Sequence, residues 1–417
     1  MNKTSRARAA GRLARRLDEL GRVTDTPGSL TRTFLSPAMA RANALVGKWM
    51  AAGGMAVRED AYGNLIGRIE GSRRGQPTLV IGSHLDTVRN AGRFDGAAGV
   101  LLGIAAVEAL RLDRVRLPFA LEVVGFSEEE GVRFSSGYIG SKGYAGRLSA
   151  GDLALCDATG TTLREVLGRR ARRRFAPPRA AQGRGGLLGY LEVHIEQGPV
   201  LEAEKLPLAV VTGIAGQTRG RLQFRGRAGH AGTTPMALRR DALAGAAELI
   251  LFAEALARRS PPLVATVGSL SVTPGAPNVI PGEALLSLDV RHPRDAARRA
   301  ALRRILAQAR AIARRRDLGC VWRATQDDGA VACSRRLASL LGKSVRSVQG
   351  RSLRLASGAG HDAVVMASIA PIAMLFVRCR GGVSHHPSEH AAAPDLGAAL
   401  AATLDFIGRL AAGGSRP

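Results

Sequence analysis

The sequence predicts an α/β protein: a mixed, largely parallel sheet covered by helices, into which a smaller α+β unit of split ferredoxin-like order is inserted. Three observations lead there. The chain has 417 residues, more than one core of ordinary size holds, so two domains are expected. Between residues 77 and 130 apolar strand-like runs alternate with a helical run, the pattern of a sheet with helices on its faces. From about residue 213 the order becomes β-α-β-β-α-β. The first domain therefore takes residues 1–212 and 330–417, and the insertion takes 213–329.

At the amino terminus Leu13, Leu17, Leu20 and Val23 recur at helical spacing with no apolar secretion core, which predicts an amphipathic first helix. "PTLVIGSHLD" (77–86) reads as a buried strand, "GVLLGIAAVEAL" (99–110) as a helix and "FALEVVGFSEEE" (119–130) as the next strand. The Arg/Pro-rich stretch around 168–185 reads as a surface excursion before the strand "LLGYLEVHIEQG" (187–198). The insertion supplies strand "RLQFRG", helix "RRDALAGAAELILFAEALARR", strands around "VATVGSLSV" and "EALLSLDVRH", helix "RDAARRAALRRILAQARAIARRR" and strand "GCVWRAT". The first domain resumes with strand "IAPIAMLFVRC" (369–379), loop "RGGVSHHPSEH" and the closing helix "DLGAALAATLDFIGRLA".

The net charge of +26 raises nucleic acid as a partner. Only five of the 60 basic residues are lysine, however, and the arginines are spread over every segment without interleaved aromatics that would stack bases. No specific nucleic acid is expected. No apolar run reaches the ~20 residues of a bilayer span, so no membrane is expected either. Cys156, Cys320, Cys333 and Cys379 have no paired or metal-ligand spacing, which fits free thiols in a reducing, cytoplasmic setting.

Ligands of such sheets collect beyond the carboxyl ends of strands, and there the histidines and acids gather. In "HLD" alternation on an extended chain turns His84 and Asp86 to one side, so Asp86 is expected to accept the imidazole N–H and orient His84. Asp95 follows in a glycine-rich loop, where a helix cap is its structural alternative. Glu128, Glu129 and Glu130 end a strand as a like-charge cluster that needs positive charge among them. Imidazole and carboxylate donors suit borderline divalent cations, and a dinuclear centre would neutralise the cluster while leaving one carboxylate to take a proton from water.

"GSHLDTV", "FDGAAGV", "SEEEGVRF", "HIEQGPVLE", "GHAGTTPM", "PNVIPGE", "SGAGHDA" and "GVSHHPSE" together resemble the allantoate amidohydrolase and N-carbamoyl-L-amino-acid hydrolase group, relatives of dinuclear metal aminoacylases and carboxypeptidases. The resemblance runs from about residue 55 to 392. It implies a metallopeptidase-like catalytic domain with an inserted dimerisation, or lid, domain. It implies two divalent metal ions per subunit, zinc or manganese with cobalt or nickel as options. His84, bridging Asp95 and His194 would hold one, and Asp95, Glu130 and His385 the other. Glu129 becomes the general base and Glu128 a neighbour outside the ligand set. His230 would reach the active site of a second subunit in a homodimer and stabilise the oxyanion. Gln197, Gln217, Asn278, Arg291, Gly360 and His361 match substrate-contacting positions, although Arg291 also fits a surface ion pair and Gln217 a plain loop residue. His386 and His390 are bystanders.

The reaction expected is hydrolysis of a ureido C–N bond in a small ureido carboxylate. "MLFVRCRGGVSHHPSE", with Arg378 and Cys379, looks more like the allantoate enzymes, unless Arg378 pairs with a structural carboxylate. N-carbamoyl-L-amino acids and 3-ureidopropionate are the alternative substrates. A peptidase or aminoacylase is a third option within hydrolases, and a basic anion- or nucleic-acid-binding protein on the same fold is the non-enzymatic alternative.

Overall fold

In the computed structural model, which describes residues 3–172 and 186–413, the run "TLVIGSH" forms a strand buried along its whole length. Along the chain the strands are β1 (Ala56–Glu59), β2 (Leu65–Ile69), β3 (Thr78–His84), β4 (Ala120–Phe126), β5 (Leu187–Ile195), β6 (Leu208–Ile214), β7 (Gly216–Arg225), β8 (Gly229–His230), β9 (Val264–Thr266), β10 (Leu270–Thr273), β11 (Val279–Ile280), β12 (Glu283–His292), β13 (Gly319–Asp328), β14 (Val331–Ala332), β15 (Leu353–Ser357) and β16 (Ile372–Val377). The chain divides into a first unit of residues 1–212, 333–355 and 359–417 and a second of 213–332 and 356–358. Most of the stretch expected as a surface excursion around 168–185 lies outside the described residues.

The first unit is built on a sheet in the order β1-β2-β4-β3-β5-β16-β6. Its centre is parallel: β4, β3, β5 and β16 run the same way, while β1, β2 and β6 join antiparallel. The carboxyl ends of the four parallel strands therefore lie on one edge. Helix Ala97–Leu112 is apolar almost all round because it is covered on two sides, by β3, β4 and β5 and by the first helix and closing helix Ala393–Ala412. Leu79, Ile81, Val100, Ile104, Val193, Leu375, Leu400 and Phe406 share this core.

Gly99 lets that helix touch the sheet. A Cβ there would lie 2.0 Å from the Val193 carbonyl oxygen and 3.0 Å from Ser83 Cβ. Neither neighbour is a flexible side-chain end. Gly99→Ala is expected to cost about 1–3 kcal/mol through overpacking, read as a lower urea midpoint; an unchanged midpoint would show that helix and strand part freely here.

The second unit is an antiparallel sheet in the order β10-β12-β7-β13, with β9 also on β12. Buried and half-buried residues alternate along β12, so Ala284, Leu286, Leu288 and Val290 face helices Ala242–Arg258 and Asp295–Arg315.

Several elements differ from the sequence reading. The strand expected over 119–130 stops at Phe126, and Glu128 turns into the left-handed region at φ 51°, so the acids sit in a loop. "VATVGSLSV" is divided between β9 and β10, and β7 starts five residues before "RLQFRG". Strands β1, β2 and β6 and helices Pro37–Ala52 and Arg335–Gln349 were not anticipated. No helix among the described residues is long and apolar enough to cross a membrane.

Candidate metal centre

His84 is the last residue of β3 and His194 the next to last of β5, while the loops after β4 and β16 carry Glu129, Glu130 and His385. The parallel strands thus deliver imidazoles and carboxylates to one edge. Three groups of donor atoms converge within 4.8 Å: His84, Asp95 and His194; Asp95, Glu130 and His385; and His84, Glu129 and Glu130. Asp95 is common to the first two.

The donor chemistry fits cations. His84 Nδ1 lies 3.0 Å from the Asp86 carbonyl oxygen and His194 Nδ1 2.9 Å from that of Ile195, so each imidazole donates there. Their Nε2 atoms then face each other at 3.5 Å, with Asp95 Oδ1 3.5 Å from His84 and 3.0 Å from His194. Lone pairs meeting in a buried space repel unless a proton or cation joins them. Burial pulls His84 down, but Asp95, Glu129 and Asp86 outweigh it and hold its imidazolium well above the ordinary range. On the other side of Asp95, Oδ2 lies 3.2 Å from His385 Nε2, which is 3.6 Å from Glu130 Oε1. His84 and His194 are 2% exposed and His385 49%, so the cluster opens toward His385.

The carboxylates tell the same story. Burial, with Glu130, Asp362 and Asp86 against the opposing pull of His84, pushes Glu129 well above the usual carboxylate range. Burial raises Glu130 to about 7 and Glu128 to about 7. Asp86, Asp95, Glu129 and Glu130 outnumber His84, His194 and His385, the imidazoles beside them. Backbone strain gathers at the same place: Glu128, Tyr138, Gln197 and His385 all have positive φ, costly for residues with a side chain and common at working sites.

A family model described as "Peptidase family M20/M25/M40" matches residues 80–409. The chain belongs to the peptidase family M20/M25/M40. It is 40% identical over 435 residues to "Allantoate deiminase 2" of Glycine max, covering 95% of this chain and 88% of that protein. It is also 40% identical over 403 residues to "N-carbamoyl-L-amino acid amidohydrolase" of Geobacillus stearothermophilus, covering 96% and 98%. The crystal structure of a hydantoinase/carbamoylase family amidase from Burkholderia multivorans matches with a TM-score of 0.89 at 32% identity, over 96% and 98% of the two chains. As a member of this family the chain is a hydrolase, as its sequence predicts, and the mixed sheet is the family's fold.

In this M20 chain Asp86 acts differently from the sequence expectation. Its carboxylate oxygen stays 3.8 Å from His84 Nδ1, which donates to the Asp86 backbone carbonyl instead. The carboxylate accepts the backbone N–H groups of Glu129 (3.1 Å) and Glu130 (3.2 Å), so it orients the acidic loop. The helix after Asp95 shows no side-chain cap, which removes that alternative. Glu128 turns away and accepts from the backbone of Arg133 and Phe134.

Gln197 donates to Asp95 Oδ2 at 2.9 Å, and the buried His361 ring packs edge-on against His194, centroids 4.5 Å apart. Gly360 lies against Tyr138, whose hydroxyl would be 1.8 Å from a Cβ there. In the second unit Gln217 donates to Asp328, and the Asn278 carbonyl accepts from Ala231. Arg291 places Nε and Nη2 on Asp289 at 2.9 and 2.8 Å and Nη1 on the Gly358 carbonyl. His230 is exposed, and its Nδ1 accepts the Gly232 N–H at 3.1 Å, which puts the ring proton on Nε2. His386 pairs with Ser388 and His390 packs on Phe94. Arg378 forks onto Asp395 at 2.9 and 3.0 Å, so the substrate preference drawn from it falls away.

Sequence reasoning missed Ser384 and Glu389, which stand inside the quoted "GVSHHPSE", and the buried Glu192 and Asp362; Glu192 accepts from Ser83 Oγ at 3.0 Å and from the Ala363 N–H at 2.9 Å.

Proposed function

We propose that this chain is a dinuclear metal amidohydrolase that cleaves the ureido C–N bond of allantoate, releasing ammonia and, once the carbamate decomposes, carbon dioxide. The observation that carries the reading is the sharing of Asp95 by two donor groups with Glu129 beside them. His84, Asp95 and His194 would hold one ion and Asp95, Glu130 and His385 the other. Two divalent cations supply Lewis-acid polarisation of water and carbonyl. Glu129, held well above the usual carboxylate range by burial, takes the proton of the attacking water and returns it to the leaving nitrogen. Gln197, Gly360 and His361 line the site from the first unit.

His230 of a second copy in a homodimer donates its Nε2–H to the developing oxyanion, supported by the tautomer that Gly232 selects. Mixing inactive His230→Ala with inactive Glu129→Gln chains is then expected to restore activity at one site of each heterodimer. Verified heterodimers without recovery would return His230 to its own chain. Gln217, Asn278 and Arg291 complete the substrate contacts, with a substrate carboxylate competing against Asp289 for the Arg291 fork.

The second reading is hydrolysis of N-carbamoyl-L-amino acids, favoured by the 40% identity to the Geobacillus enzyme. Ammonia release by zinc- or manganese-reconstituted protein from allantoate, N-carbamoyl-L-methionine, 3-ureidopropionate and an N-acyl amino acid tests both. Allantoate, for which the relatives from Glycine max and Arabidopsis thaliana at 40% and 39% identity are named, is expected to lead in kcat/KM. A tenfold advantage for another ureido compound, about 1.4 kcal/mol of transition-state discrimination, would move the assignment to it. Turnover of the N-acyl compound alone would make the chain an aminoacylase.

A further inference from the structure

Glu389 is 3% exposed and separated by nearly 300 residues from the loop it holds. Its Oε1 accepts two successive backbone N–H groups, Phe94 at 2.8 Å and Asp95 at 3.0 Å. Its Oε2 lies 3.0 Å from Ser384 Oγ, which is also 2.9 Å from Asp95 Oδ2. Ser384 immediately precedes His385, whose Nε2 meets that same Oδ2 at 3.2 Å. Gly92 makes room for the carboxylate, because a Cβ at that position would fall within 2.4 Å of it.

We propose that Glu389 is a positioning residue: it fastens the backbone of Asp95 to the loop of His385 and so sets the spacing of the Asp95–Glu130–His385 donor group. This rests on the two-metal reading above. A buried carboxylate would be costly unless its lone pairs were used, and here each oxygen has a partner. The other donor group shares Asp95, but its two imidazoles are held without Glu389. His84 and His194 are each fixed by a carbonyl oxygen within two residues, whereas His385 stands half-exposed on a loop at φ 57°. That loop is what the clamp holds.

Zinc titration of the chain against a chelating dye tests this. The unsubstituted protein is expected to bind two ions; binding of one or none would overturn the two-metal reading itself. Glu389→Met fills the same space without an acceptor and is expected to weaken one site by about 10–100-fold, the usual effect of removing a partner of a metal ligand, and to leave the other within about threefold. Glu389→Gln keeps an acceptor for both N–H groups and an N–H₂ that Ser384 Oγ can accept, so both sites are expected to stay within about threefold. In a His385→Ala background, adding Glu389→Met is expected to change the remaining site by no more than threefold. Equal affinities for the Met and Gln variants, or equal weakening of both sites by Met, would overturn the proposal. If the Met variant does not fold, Ser384→Ala carries the test, and unchanged affinity at both of its sites has the same consequence.

Discussion

On the proposed two-metal mechanism, Glu129→Gln is expected to lower kcat by about 10²–10⁴-fold while both metal ions stay bound, because the attacking water loses its proton acceptor and the proposed ligand set of His84, Asp95, Glu130, His194 and His385 is untouched. The geometry makes this a sharp test. Glu129 also falls within reach of His84 and Glu130 as a possible donor, so loss of a metal in the glutamine variant would reassign it from base to ligand. Near-normal turnover would remove it from the chemistry altogether. Metal content and steady-state kinetics on the same preparation separate the three outcomes.

Asp95→Asn is expected to abolish measurable turnover and to weaken both metal sites together, since an amide offers one neutral oxygen where a carboxylate offers two charged ones. The effect reaches stability as well. A bound ion at a hundredfold excess over its dissociation constant adds about 2.7 kcal/mol to the folded state, so two ions add about 5 kcal/mol that a chelator removes. The native chain should therefore melt lower in chelator, and the asparagine variant should melt at the same temperature with or without zinc. Loss of only one ion would place Asp95 in a single site instead of between two.

That imidazoles and carboxylates gather at the strand ends of the candidate site was legible in the sequence for a physical reason, while their separate roles came from the family resemblance. His84, Asp95, Glu129, Glu130 and His194 follow apolar runs that must be buried, and polar groups in that setting need partners or ions. Helices Ala242–Arg258 and Asp295–Arg315 and strand β12 were readable because burial on one face imposes a period on the sequence. Strands β2 and β6 escaped because their partners β4 and β16 are distant in sequence, and β1 because all four of its residues are exposed and carry no burial pattern.

By itself the sequence determined residue chemistry: which strands are apolar enough to be buried, and that acids and imidazoles stand at their ends in numbers a protein interior cannot hold unneutralised. Only the tertiary structure decided who meets whom. It turned Asp86 from His84 to the backbone of the acidic loop, gave Arg378 to Asp395 and Arg291 to Asp289, and tied Glu389 to Asp95 across almost the whole chain. Those outcomes depend on the fraction of an ångström by which one donor is nearer than another, which is fixed by parallel strand register and loop strain and leaves no trace in the order of residues.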